Sequence, residues 1–66
     1  MDDAGRYRLT LALDGQLSMS GWWDKRAVAD RQFSSWVGER GSMPGVRIEL
    51  VDTADDLVLE TWPKET

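Results

Sequence analysis

Between Tyr7 and Leu13 the chain alternates, with Tyr7, Leu9, Leu11 and Leu13 on one side and Arg8, Thr10 and Ala12 on the other. A period of two marks a half-buried strand, and it recurs three times. Leu17, Met19, Gly21 and Trp23 alternate with Gln16, Ser18, Ser20 and Trp22; Val46, Ile48 and Leu50 alternate with Arg47, Glu49 and Val51. Leu57, Leu59 and Thr61 alternate with Val58, Glu60 and Trp62. One stretch instead follows the helical period: Ala29, Phe33, Trp36 and Val37 stand at i, i+4, i+7 and i+8, the apolar stripe of an amphipathic helix. Two strands, one helix and two strands bury their apolar faces together only as an α+β, two-layer ββαββ domain with the helix on one face of a four-stranded sheet. The expected core sets Leu9, Leu11, Met19, Ile48, Leu50, Leu57 and Leu59 against Phe33, Trp36 and Val37.

The connections carry their own chemistry. Asp14-Gly15 is a strong hairpin signal. A two-residue loop there would set Leu13 opposite Gln16 and Leu11 opposite Ser18, mixing polar and apolar residues on one face. The expectation is therefore a three-residue loop with Gly15 left-handed, pairing Leu11 with Leu17 or with Met19. Asp24 is the expected N-cap of the helix, and the helix is expected to end in a left-handed turn between Gly38 and Gly41. A loop over Ser42-Met43-Pro44-Gly45 follows. A turn over Asp52-Thr53-Ala54-Asp55 would set Leu50 opposite Leu57, Ile48 opposite Leu59 and Arg47 opposite Glu60 on the other face, an opposite-charge pair. Pro63 then ends the last strand.

Arg6-Tyr7-Arg8-Leu9-Thr10-Leu11, Ala29-Asp30-Arg31-Gln32-Phe33-Ser34-Ser35-Trp36-Val37 and Asp52-Thr53-Ala54-Asp55 together resemble the layout of the immunoglobulin-binding B domains of protein G, the smallest β-grasp fold. The resemblance rests on element order and apolar spacing. It implies a sheet order of 2-1-4-3 with the first and fourth strands parallel in the middle, where the apolar run Leu57-Val58-Leu59 would fit; this order is preferred, with 2-1-3-4 left open by the sequence. It does not imply antibody binding. Asp30 and Arg31 match the charged contact pair of those domains by type, but Ser34, Ser35 and Gly38 replace long polar side chains and the third strand lacks an aromatic. Ubiquitin-like modifiers share the fold but need a Gly-Gly tail, whereas this sequence closes on Lys64-Glu65-Thr66.

Composition narrows the function classes. The sequence has 66 residues, 12 acidic against 8 basic, for a net charge of −4, with no Cys and no His. A single domain over residues 1–66 is expected, with 1–5 and 64–66 as frayed tails. A chain this small buries only about 60% of its unfolded surface, which leaves little room for a deep cleft. Thiolate and imidazole chemistry are excluded. A net acidic chain is poorly suited to phosphate backbones, so no nucleic-acid partner is expected. No apolar run approaches the roughly 20 residues of a membrane span, and Met1-Asp2-Asp3-Ala4-Gly5 has no apolar signal region, so the expectation is a cytoplasmic protein that does not engage membranes. Arg outnumbers Lys six to two, which fits a GC-rich bacterial gene. The three carboxylates Asp52, Asp55 and Asp56 lack the spacing and glycine of a calcium loop, and a solvated turn explains them better. Ser34, Ser35, Ser18 and Ser20 have no base to activate them. Hence no enzyme activity, catalytic residue, metal or cofactor is expected.

Four tryptophans remain to be placed: Trp22, Trp23, Trp36 and Trp62. With Trp23 turned to the core, strand parity sends Trp22 to the opposite sheet face, and the same counting sends Trp62 there. Both would be flanked by Arg8, Arg47 and Val58. Trp and Arg dominate interface hot spots, so these five residues form the candidate partner-binding surface. The expected function is a small protein-interaction or regulatory module binding a protein through its open sheet face and self-associating as a homodimer. The alternative is an acidic inhibitor that mimics nucleic acid to block a host or phage enzyme. Its acids would have to gather on one face, whereas here they spread among Arg8, Arg26, Arg31 and Arg47.

Overall fold

A computed structural model describes residues 5–63. Its elements follow the sequence pattern: β1 (Tyr7–Leu13), β2 (Gln16–Trp23), α1 (Arg26–Arg40), β3 (Val46–Asp52) and β4 (Leu57–Trp62). The α+β layout is as expected, with one four-stranded sheet and the helix on one face. Leu9, Leu11, Ile48 and Leu50 from the central strands are buried against Ala29, Phe33 and Trp36 of α1, the helical stripe read from the sequence. Tyr7, Met19, Trp23, Val37, Leu59 and Trp62 pack around this centre, whereas Leu57, expected in the core, is exposed.

The strand order is β2-β1-β3-β4 and every neighbouring pair is antiparallel. This corrects the 2-1-4-3 order and its central parallel pair, and with it the β-grasp resemblance. The reason lies in which strand offers an unbroken apolar face. Val46, Ile48 and Leu50 of β3 are all buried, whereas β4 brings Glu60 into register with Leu50. An acidic side chain in that row fits an edge strand, where water reaches it. Both ends of the central seam are also tied. The Asp14 N–H donates to the Gly45 carbonyl (2.9 Å), and the Thr53 N–H donates to the Arg6 carbonyl (3.0 Å).

The hairpin turns resolve a conflict between parity and turn chemistry. Asp14 and Gly15 both have positive φ (52° and 85°), the signature of the two-residue type I′ turn, and Leu13 pairs with Gln16. The expected three-residue loop is not used. A β-bulge supplies the odd residue instead: Ala12 faces Leu17, then the register shifts and Leu11 faces Met19. Leu11 thus has one of its two anticipated partners, and Leu17 is turned onto the face of Ala12. The β3–β4 hairpin behaves likewise. Asp52 stays in the strand opposite Leu57, and a bulge then shifts the register so that Leu50 faces Glu60 and Ile48 faces Trp62. The pairings of Leu50 with Leu57, Ile48 with Leu59 and Arg47 with Glu60 are all displaced; Arg47 has Ala12 as its partner on β1.

The helix ends also differ in detail. Lys25, in extended conformation, is the N-cap rather than Asp24, and makes no side-chain cap bond. Gly41 closes the helix with right-handed φ and ψ (−67°, −18°), not in the expected left-handed turn. Its glycine is needed for space: a Cβ there would press on the Val37 carbonyl and lie 2.8 Å from Trp62 Nε1. Gly5, expected in a frayed tail, lies against the Trp23 backbone; the rest of both tails, residues 1–4 and 64–66, falls outside the described residues.

Candidate functional site

Strand alternation that buries Leu9, Leu11, Ile48 and Leu50 turns Arg8, Thr10, Ala12, Arg47, Glu49 and Val51 to the face away from α1. Register then lines residues up across strands. Arg8 pairs with Trp22 on one side and Val51 on the other, and Val51 pairs with Val58. One row therefore crosses the whole sheet as Trp22–Arg8–Val51–Val58. The Arg8 guanidinium lies 5.5 Å from the Trp22 ring centroid, a cation–π stack. Its Nε is shielded from solvent and has no hydrogen-bond acceptor among the described residues, so the indole face is the electron-rich surface it meets. Trp22 remains 44% exposed and Val58 52%.

Of the five candidate residues, the structure brings Arg8, Trp22 and Val58 into this row. Arg47 shares the face but stands beside Ala12, about 13 Å along the strand from Arg8, and its Nε donates to Glu49 (3.0 Å). Trp62 is the correction. The β4 bulge reverses its parity, so it pairs with buried Ile48, packs on the core and donates from Nε1 to the Gly41 carbonyl (2.9 Å). Its indole therefore belongs to the helix layer. Leu17, 60% exposed, takes up part of the vacated apolar role. The first bulge puts it on the Ala12 side, although the sequence alternation groups it with Met19 and Trp23.

A second cluster sits at one end of the β1–β3 seam. Arg6 grips Asp52 with two bonds, Nε to Oδ1 (2.7 Å) and Nη2 to Oδ2 (2.8 Å), and also reaches Asp55 (3.3 Å). The signal for it was present: Asp52 continues the core-facing series Val46, Ile48, Leu50, and a carboxylate at that parity needs a cation. The hydrogen bond from Arg6 is the main cause holding the Asp52 carboxyl below its usual 3.8, helped by the Ala54 N–H and opposed by burial. The same bond makes Arg6 cling to its proton more tightly than a free guanidinium.

A folded-state pKa below the unfolded one stabilises above the unfolded value, and the contribution is lost as pH falls through the folded one. Asp52→Asn is thus expected to lower the urea midpoint at pH 7, with a gap to the parent that narrows as the pH falls below about 4. An unchanged gap at pH 2 would show that the ionised pair does not stabilise the seam.

Among the described residues, no group of three or more His, Cys, Asp or Glu side chains is placed to hold a metal ion, and no helix is long and apolar enough to cross a membrane. No protein-family model, curated protein or solved structure matches the chain.

Proposed function

We propose that this is a small non-enzymatic protein-interaction module that contacts a protein partner through its open sheet face. The observation that carries the reading is the row Trp22–Arg8–Val51–Val58, an exposed indole stacked on a guanidinium beside two valines. Such an arrangement combines the two side chains richest in binding energy at interfaces with an apolar surround that excludes water. Leu17 extends the apolar surface along β2. The nucleic-acid-mimic alternative is less well supported, because Asp30, Glu49, Asp52 and Asp55 are each engaged by an arginine of the same chain. Carboxylates neutralised in this way make a poor imitation of a phosphate row.

The test compares proteins retained from native lysate by immobilised parent, Trp22→Ser and Trp22→Ser/Val58→Ser. A specific partner should be lost by both variants, with the single substitution weakening it by about 2 kcal/mol or more, roughly 30-fold. An identical retained set on all three proteins would sink the open-face reading.

A further inference from the structure

We infer that the chain forms a two-fold symmetric dimer by antiparallel pairing of β2 with β2 of a second copy, joining two sheets into one of eight strands. The sheet order leaves two edges, β2 and β4, and an edge strand presents backbone donors and acceptors on its outer side. The two edges are not equivalent. β4 is guarded: it has six residues, contains a bulge and Glu60, and runs into Pro63. Bulges, charges and prolines are the devices that keep an edge from pairing. β2 is longer at eight residues and has neither a charged side chain nor a proline. Its bulge lies near the turn, which leaves Met19–Trp23 in unbroken register with β1.

That segment is compatible with its own copy. A two-fold axis at Gly21 sets Ser20 opposite the partner's Trp22 and Met19 opposite the partner's Trp23. Parity agrees in both pairs: Ser20 and Trp22 belong to the open face, and Met19 and Trp23 to the helix side. Small residues at the centre allow the strands to approach, and Trp22 gains Ser20 of the other copy to lie across. Met19 and Trp23 are only half-buried at the rim of the core, so pairing them extends the apolar layer from one copy into the next. Charge points to the same occupant. In a chain of net charge −4, like charges oppose most contacts between copies, and the neutral β2 edge brings no charged side chain to the seam. Isologous contact of one patch with itself closes at two copies and does not propagate.

The pairing uses backbone groups of the edge, whereas the proposed function uses side chains of the face, so either can fail alone. Sedimentation equilibrium from about 5 μM to 0.5 mM is expected to show a monomer–dimer equilibrium. A mixture of ¹³C-labelled and unlabelled protein should give intermolecular Hα contacts within Met19–Trp23. Ser20→Lys, which places like charges across the axis on solvent-facing positions, should weaken the dimer at least about tenfold while leaving the circular dichroism melt in place. Trp22→Ser should weaken it less than Ser20→Lys. A monomer throughout the range overturns the inference. So does a dimer whose intermolecular contacts map to the open face, or one that resists Ser20→Lys and dissociates on Trp22→Ser.

Discussion

Phe33→Ala is expected to cost about 3–5 kcal/mol, the usual range for removing a buried aromatic ring. Phe33 is 6% exposed, at the middle of the stripe formed with Ala29 and Trp36. A domain of this size has a total stability of roughly 3–10 kcal/mol, so the substitution removes much of it. On the size scaling for small domains, the melting temperature should fall by about 15–30 °C. The check is a thermal melt followed by near-ultraviolet circular dichroism. A transition within a few degrees of the parent would place Phe33 outside the core and overturn the helix phase.

The second large effect separates the tryptophans by role. Trp62→Ala should destabilise by about 2–3 kcal/mol, less than a fully buried ring, since Trp62 is only half-buried against the core. Trp62→Phe retains most of the packing and loses the bond from Nε1 to the Gly41 carbonyl, a loss of about 1 kcal/mol. Trp22→Ser, on the exposed face, removes the stack on Arg8 and should cost about 0.5–1 kcal/mol, less than Trp62→Ala. Urea unfolding of the three variants tests the order. If Trp62→Ala proved as mild as Trp22→Ser, the indole would not be part of the helix layer.

Trp62 also shows where sequence reasoning loses its grip. The class of fold, the five elements and the core residues Leu9, Leu11, Phe33, Trp36, Ile48 and Leu50 follow from periodicity, which burial enforces residue by residue. A bulge leaves no mark in that periodicity. Leu17 and Met19 share an unbroken alternation in the sequence, yet the one-residue shift beside Ala12 puts them on opposite faces. The same device beside Leu50 carries Trp62 inward. In the first hairpin a forecast was within reach: Asp14-Gly15 asks for a two-residue turn while the apolar pattern asks for an odd offset, and a bulge is the one way to satisfy both. Strand order was harder, because Leu57-Val58-Leu59 reads as a central strand by composition. What displaces it to the edge is Glu60 opposite Leu50 together with the Arg6–Asp52 clasp, and that clasp joins residues 46 apart. Arg8 and Trp22 were legible as residues of one face, and no bulge intervenes between them and Leu11 to change that; their direct pairing was not, because the register of the first hairpin was open.

The antiparallel seam between β1 and β3 has a kinetic consequence. Each hairpin closes through contacts a few residues apart, and α1 closes through its own turns, so these pieces have low-cost routes to form. The seam joins Tyr7 to Asp52 and Leu13 to Val46, contacts whose loop entropy must be overcome before any of them stabilises the chain. Such distant pairing sets the pace of folding in proteins of this size. The slow event is therefore expected to be the docking of the two hairpins, with Arg6 and Asp52 at one end of the line and Asp14 and Gly45 at the other.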